Sequence, residues 1–105
     1  MDLIADTPEP PYYAVIFTST RTDGDNGYAA MAAKMEQLAA LQPGYLGIET
    51  ARQELGITVS YWADLASIGN WKADIDHQRA QALGREKWYS SFRVRISRVE
   101  RDYGA

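Results

Sequence analysis

The stretch YYAVIFTSTR, residues 12 to 21, decides the fold. It is rich in β-branched and aromatic residues and is followed by the turn-forming run TDGDNG, a combination typical of a β-strand. Side chains on a strand alternate between the two faces of a sheet, and apolar residues here occupy both sets of positions. They are Tyr13, Val15 and Phe17 on one face and Tyr12, Ala14 and Ile16 on the other. If one face packs against helices, the other face also needs a partner.

A helix and two more strands follow this first strand. Asp25 or Asn26 is placed to cap a helix that Pro43 and the glycine after it end. YLGIETAR (45–52) and GITVSYW (56–62) are rich in strand-forming residues and are separated by a short gap. Together they predict a β-hairpin.

The second half of the chain repeats the helix and strand signals. Asp64 can cap a second helix that extends to about Gly84 or Lys87, and WYSSFRVRISRVERDY (88–103) predicts a long final strand. The order of elements is therefore βαββαβ. This order is typical of the ferredoxin-like α+β fold, in which both helices cover one face of an antiparallel four-stranded sheet.

The final strand also bears on assembly. Apolar residues alternate from Phe92 to Ile96, and Val99 is one position out of step, which predicts a bulge or bend near Ser97 and Arg98. A bent, long final strand is suited to reach a second subunit. Because the sheet is apolar on both faces, we expect a homodimer in which two sheets pack face to face as an α+β barrel with the helices outside.

Composition limits the class of protein. The 105 residues suffice for one domain, which we place at residues 12–105 after an acidic, proline-containing, partly mobile lead-in over residues 1–11. A net charge of −3 gives no field to attract nucleic acid or anionic lipid, and no apolar run is long enough to cross a membrane. With no cysteine and no signal-like N-terminus, we expect a soluble, cytoplasmic protein.

Several motifs resemble one known family. GYLGIETAR (44–52), NWK (70–72), DHQRAQALGREKWY (76–89) and FRVRISRVERDY (92–103), in this order of elements, are similar to the antibiotic biosynthesis monooxygenase superfamily of dimeric α+β barrels. The resemblance covers about residues 12 to 103 and is greatest for a small bacterial branch of largely unassigned activity. It implies oxidation of phenolic or quinone-type aromatic compounds by molecular oxygen, without flavin or metal, in a pocket between the sheet and the helices. We therefore expect a small aromatic ligand and no cofactor.

A related branch of the superfamily degrades haem, and this chain departs from its pattern. By resemblance, the pattern of that branch consists of an asparagine in the first strand, a tryptophan in the second helix and a histidine ten residues after the tryptophan. Trp71 can stand for the tryptophan, but Gln81 occupies the position of the iron ligand and the first strand has no asparagine. The sequence therefore predicts that haem is not bound specifically.

NWKADIDHQRAQALGREKW, residues 70 to 88, contains His77, the only histidine. An imidazole has a pKa near neutrality and is suited to take a proton from a phenolic hydroxyl. Ile68 and Trp71 fall on one stripe of the predicted helix, whereas His77 falls on another together with small residues. One straight helix cannot turn both stripes to a sheet, so we expect a kink near Asp74.

Aromatic residues surround this histidine in the predicted fold, and the small residues beside it leave space for a ligand. We predict that His77 is the catalytic base or the hydrogen-bond partner of a phenolic hydroxyl, and we predict no metal ligands. The predicted substrate-binding residues are Tyr61, Trp62, Trp71, Trp88 and Tyr89.

Most of these residues also have a structural explanation. A single histidine beside small residues is often a hydrogen-bonded packing residue, and large aromatic side chains such as Trp71 and Trp88 are common in cores. Arg93 and Arg95 share a face of the last strand, so they can pair with Glu49 across the sheet or across a dimer interface.

The sequence leaves a second class of function open. It contains no paired carboxylates, phosphate-binding loop, serine triad or metal-ligand spacing. A non-enzymatic homodimer that binds a small aromatic or apolar ligand, or that serves only in interactions, fits the same residues. Oxygen consumption with a phenolic substrate distinguishes the two functions.

Overall fold

The computed structural model describes residues 3–81 and 88–105, with side chains for 3–76 and 88–105. The elements are β1 (Tyr12–Arg21), α1 (Tyr28–Ala40), β2 (Tyr45–Arg52), β3 (Gly56–Trp62), α2 (Leu65–Gln81) and β4 (Tyr89–Val99). The strands form one sheet of order β2-β3-β1-β4 in which every neighbouring pair is antiparallel. The predicted ferredoxin-like βαββαβ fold is confirmed. None of the described helices is long and apolar enough to cross a membrane.

The strand register assigns each side chain to one of two faces. Tyr13 pairs with Trp62 on β3, and both belong to the helix face, the side on which the helices pack. The next pair, Ala14 and Tyr61, therefore belongs to the opposite side, which we call the open face. β1 carries apolar residues on both faces, as its sequence predicts.

Two tryptophans form the centre of the core on the helix face. Trp62 is fully buried, and its ring stacks on that of Trp71 at a centroid distance of 6.2 Å. Ala39 from α1 and Ile68 from α2 complete the buried cluster. α1 lies against β2 and α2 lies against β3, so the core occupies the β2–β3 half of the helix face.

An aspartate near the start of each helix accepts backbone hydrogen bonds. Asp25 accepts from the N–H groups of Gly27 and Ala29 at 2.9 and 3.1 Å, and Asp64 accepts from the N–H of Ser67 at 2.8 Å. The hydrogen bond from the Ser67 backbone holds the pKa of Asp64 below its usual value. The predicted Asp64 cap is confirmed. The predicted cap of α1 was wrong in position, because the N-cap residue is Gly27 and neither Asp25 nor Asn26 occupies that position.

Gly44 allows the turn between α1 and β2 to approach α2. Its φ of 83° is in the left-handed region, and a Cβ at this position would overlap the hydroxyl of Ser67. Its carbonyl accepts a 2.8 Å hydrogen bond from the N–H of Ala63. The glycine therefore connects the end of α1 closely to the start of α2.

The predicted bend in the last strand was wrong. Ser97 and Arg98 pair in regular register with Ala14 and Tyr13, and the irregularity lies at the other end of the strand, beside Ser90. β4 ends at Val99, which lies on the open face opposite Tyr12. The apolar residues of β4 change from the helix face to the open face at Val99, because Val99 packs beside the buried Tyr12 on the open face. No bulge is required for this change.

No new helix begins at Asp74, where a kink was predicted. α2 runs from Leu65 to Gln81 as one helix. The Asp74 carboxylate does not cap a new helix but accepts a 3.1 Å hydrogen bond from the side-chain amide of Gln42, at the end of α1. The predicted extension to Gly84 or Lys87 lies outside the described residues.

The lead-in segment packs on the open face. The N–H of Ala5 donates to Glu49 at 3.0 Å, the hydroxyl of Thr7 donates to that of Tyr12 at 3.0 Å, and the Tyr12 hydroxyl donates to Asp102. Tyr12 and Ala14 are buried for this reason, although they face away from the helices. At the other end of the open face, Ile57 remains 42% exposed.

Candidate functional site

An apolar surface covers the helix face of β1 and β4, beside the core. Phe92, Val94 and Ile96 alternate along β4 and pair with helix-face residues of β1. They are 37%, 47% and 51% exposed, although they lie on the same side of the sheet as both helices. We call these three residues and Phe17 the apolar wall. Such a contiguous exposed apolar surface is typical of a binding site.

One end of the apolar wall is a cluster of four aromatic rings. Phe17 stacks on Phe92 at a centroid distance of 5.7 Å and meets the edge of Tyr89 at 5.2 Å. Tyr28, from the start of α1, meets Tyr89 edge-on at 5.7 Å. Offset and edge-to-face rings hold one another in fixed orientations. The cluster therefore provides a rigid aromatic floor.

Arg21 lies over the Tyr28 ring at the edge of the aromatic cluster. Its guanidinium lies 3.6 Å from the centre of the Tyr28 ring, a cation–π distance, and its Nε donates to the carbonyl of Trp88 at 2.8 Å. Trp88 in turn donates from its indole N–H to the carbonyl of Asn26 at 3.0 Å. Arg21 and Trp88 thus connect the β1–α1 loop to the start of β4.

A second guanidinium borders the same ring. Arg52 lies 5.8 Å from the centre of Tyr28 and donates to the buried hydroxyl and the carbonyl of Ser19. Gly56 makes room for this side chain, since a Cβ there would overlap the guanidinium. Positive charge beside an aromatic floor favours an anionic aromatic ligand such as a phenolate.

The predicted substrate-binding residues do not form one pocket. Trp62 and Trp71 are buried in the core, and the indole N–H of Trp62 donates to Ser60 at 2.9 Å. Tyr61 lies on the open face, where its hydroxyl donates to Glu49 at 2.6 Å. Consecutive residues of a strand point to opposite faces, so Tyr61 and Trp62 cannot line one pocket within a subunit.

The other predicted site residues are divided between structure and surface. Tyr89 belongs to the aromatic cluster, whereas Trp88 is buried beside the β1–α1 loop. The side chains of His77 and Gln81 lie outside the described residues, so the catalytic assignment of His77 and the expectation about haem stay predictions.

Sequence reasoning missed the larger part of this site. The sequence assigned Phe17 and Phe92 to strands and Tyr28 to a helix but did not predict that they meet. The reason is that the apolar pattern of one strand does not show which strand pairs with it. One signal was present: both strands carry apolar residues at every second position, and two such strands side by side produce a continuous apolar surface.

Tyrosines on the open face act as hydrogen-bond donors. Burial and the hydrogen bond to Glu49 raise the pKa of Tyr61 to about 12. Burial, together with the hydrogen bond to Asp102, also raises the pKa of Tyr12. Both hydroxyls are therefore neutral at physiological pH.

Within residues 3–81 and 88–105, no group of three or more metal-ligating side chains is close enough to hold an ion.

The open face also carries a cleft of about 300 Å³. It is lined by Thr18, Ser19, Thr20, Leu55, Ser91, Phe92, Arg93 and Arg95. In the described part of the chain, neither arginine has an acidic partner within ion-pair distance. The predicted pairing with Glu49 across the sheet is wrong within a subunit, since Glu49 is on β2 and the arginines are on β4, at opposite edges.

Comparison with known proteins gives one close relative and several similar structures. The chain is 48% identical over 103 residues to the uncharacterized protein YqjZ of Bacillus subtilis, covering 96% of this chain and 90% of that protein. No model of a known protein family matches the sequence.

The similar structures share the fold at low sequence identity. A variant of SnoaB, a cofactor-independent oxygenase from Streptomyces nogalater, superposes with a TM-score of 0.70 at 14% identity, covering 87% of this chain and 95% of that one. Protein SO0527 from Shewanella oneidensis gives 0.69 at 16% identity, covering 90% and 97%. A protein from Bordetella bronchiseptica, provisionally assigned as an antibiotic biosynthesis monooxygenase, gives 0.65 at 16% identity, covering 84% and 96%.

Proposed function

We propose that this chain, which belongs to the family of Bacillus subtilis YqjZ and has the fold of the antibiotic biosynthesis monooxygenases, oxidises a small phenolic or quinone-type aromatic compound with O₂. The observation that carries the proposal is the exposed apolar wall that ends in an aromatic cluster beside two arginines. A flat, apolar ligand with one acidic hydroxyl matches that surface in shape and charge.

The chemistry is that of a cofactor-independent monooxygenase. A base takes the phenolic proton, and the electron-rich phenolate transfers an electron to O₂. The reduced oxygen then bonds to a ring carbon, and the resulting hydroperoxide loses water to leave a quinone. One oxygen atom enters the product and the other leaves as water, while the oxidation of the phenol to a quinone supplies all four electrons that reduce O₂. No added reductant is needed.

The residues have separate proposed roles. His77 is the proton acceptor, because imidazole is the side chain whose pKa is near neutrality. Phe92 and Tyr89 orient the aromatic ring, and Arg52 stabilises the phenolate. Arg21 positions the loop that closes the aromatic cluster and does not touch the substrate.

Ligand binding and oxygen consumption test this proposal. A panel of phenols and hydroquinones is screened by thermal shift, since a ligand that binds only the folded state raises the melting midpoint. We expect a saturable shift that Phe92→Ala removes and that Leu41→Ala, a truncation at a 79% exposed position, leaves intact. We expect oxygen uptake with the best ligand to fall by ~10²-fold or more in His77→Ala.

Two results would contradict the proposed site and the proposed role of His77. A saturable ligand that Phe92→Ala binds as tightly as the wild type would remove the apolar wall from the site. Full turnover in His77→Ala, with loss of ~1–3 kcal/mol of stability, would make the histidine structural.

A non-enzymatic ligand-binding protein is the second candidate. It is favoured by the composition of the described site, where the apolar wall and the aromatic cluster carry no side chain that titrates near neutrality. This candidate predicts the same thermal shift, and it predicts no oxygen uptake above the rate of the ligand alone.

The protein is proposed to act as a homodimer that packs open face to open face. Ile57 is 42% exposed on that face, and Ile16 and Val59 are only half-buried. A second sheet over them would remove this apolar surface from water.

A further inference from the structure

We propose that the two copies pair about a two-fold axis parallel to the strands, with Arg93 and Arg95 of one copy beside Glu49 of the partner subunit. The inference rests on the homodimer proposed above and adds its orientation and the contacts that decide it.

The open face is divided by charge from one edge to the other. Across one row of the register, Glu49 on β2 pairs with Val59 on β3, which pairs with Ile16 on β1, which pairs with Arg95 on β4. The acid and the base are therefore at opposite edges, and two aliphatic residues lie between them. Arg93, two residues before Arg95, adds a second positive charge at the β4 edge.

A two-fold axis between the two sheets places the open faces of identical subunits together, and its direction decides which strands meet. If the axis is perpendicular to the strands, β4 lies over β4 of the partner subunit and β2 over the partner's β2, so each charged edge lies over an edge of the same charge. If the axis is parallel to the strands and passes between β1 and β3, β4 lies over the partner's β2. Arg95 then faces Glu49, and Ile16 faces Val59. Because burial strengthens both repulsion and attraction between charges, electrostatics favours the parallel axis.

Arg93 and Arg95 are exposed, and no acidic side chain of the described residues pairs with them. Both arginines line the open-face cleft. Covering that cleft with a second sheet would bury two unpaired charges, which is unfavourable because the charges lose their hydration. A carboxylate supplied by the partner subunit offsets this cost.

Glu49 is held on the open face in a position to be that carboxylate. Its oxygens accept hydrogen bonds from the N–H of Ala5 at 3.0 Å and from the hydroxyl of Tyr61 at 2.6 Å, which hold the side chain on the open face. An ionised carboxylate accepts about four hydrogen bonds, so about two remain for a guanidinium. The lead-in segment therefore positions a group that serves the interface.

Charge reversal with mixing tests the pairing. The variants are Arg93→Glu with Arg95→Glu in one chain, and Glu49→Arg in another. Each alone places like charges together and is expected to weaken the homodimer by at least about tenfold. An equimolar mixture restores both contacts, so native mass spectrometry should show the heterodimer at close to wild-type affinity. Arg98→Glu is the control, because Arg98 is on the same strand but faces the helix side.

A folding defect is separated from a pairing defect by Glu49→Gln, which removes the charge, keeps one acceptor oxygen for the N–H of Ala5 and can donate from its amide NH₂ to the Tyr61 hydroxyl. It should weaken the dimer while leaving circular dichroism unchanged. If the wild type is a dimer and neither reversal changes its affinity, or the mixture gives no heterodimer, the pairing is wrong while the homodimer stands. If the wild type is monomeric, both fail.

Discussion

Tyr61 and Trp62 show at the scale of single residues how one step along a strand changes environment. Trp62 is enclosed in the core, whereas Tyr61 lies on the open face with its hydroxyl bonded to Glu49. Their types alone, an aromatic pair after a run of strand-forming residues, predicted one shared role. The alternation of a strand separates them, because consecutive side chains point in opposite directions.

The raised pKa of Tyr61 predicts a loss of stability in alkali. The group's pKa rises from 10.0 to about 12 on folding, so the native state holds this proton more tightly than the unfolded state does. The stabilisation is complete below the unfolded value and is lost as the pH rises through the folded value. We expect the free energy of unfolding to fall between these two pH values, and less steeply in Tyr61→Phe.

Denaturant titrations across that pH range, together with tyrosinate absorbance, provide the measurement. Tyr61→Phe should also cost about 1 kcal/mol at neutral pH, a value kept low because the hydroxyl is partly solvated. Tyr103→Phe, at a 93% exposed position, is the control and should change neither the slope nor the stability. An alkaline slope unchanged in Tyr61→Phe would assign the effect to another group.

At the scale of elements, the ends of the helices depend on local residues. The Asp25 carboxylate accepts hydrogen bonds from the N–H of Gly27, just before α1, and from the N–H of Ala29 in the first turn, which has no carbonyl partner within the helix. Asp25→Ala should therefore lower the free energy of unfolding by about 1 kcal/mol, measured by urea denaturation. Asp23→Ala removes the same charge two residues earlier, and we expect it to be close to neutral. Equal effects of the two substitutions would indicate a general charge effect and no cap.

The extents of the first three strands were predicted well, whereas the last strand, predicted over residues 88–103, ends at Val99. β1, β2 and β3 begin and end at the predicted residues, since turn residues and β-branched runs act on their immediate neighbours. The bend near Ser97 and the kink near Asp74 were inferred from changes in apolar pattern. At the first place a residue distant in sequence explains the change, since Val99 pairs with the buried Tyr12. At the second place α2 continues past Asp74, whose carboxylate binds Gln42 of the α1–β2 turn.

At the scale of the whole molecule, assembly predicts how stability depends on concentration. An obligate face-to-face homodimer buries more than ~1,500 Å² in total. Its melting midpoint should rise with protein concentration, because association is coupled to folding. Light scattering at micromolar concentration should give twice the monomer mass of 11.8 kDa. A monomeric mass together with a midpoint independent of concentration would contradict the homodimer.

The candidate site could be predicted only in part. The sequence identified Tyr89 and an aromatic environment, but it grouped them with Trp62 and Trp71, which are core residues. The partners that surround Tyr89 are distant in sequence: Phe17 is on β1 and Tyr28 begins α1. Periodicity reports which residues share a face within one element. It carries no information on which other element lies beside that face.

The sequence by itself determined the βαββαβ order, the Asp64 cap of α2 and the apolar character of both faces of β1, because each depends on residues a few positions apart. Only the tertiary structure decided that β1 lies between β3 and β4, that the lead-in covers one end of the open face, and that Glu49 and Arg95 are at opposite edges. These features depend on register and on contacts between residues far apart in the chain. Their free energies are realised only when the whole sheet has formed.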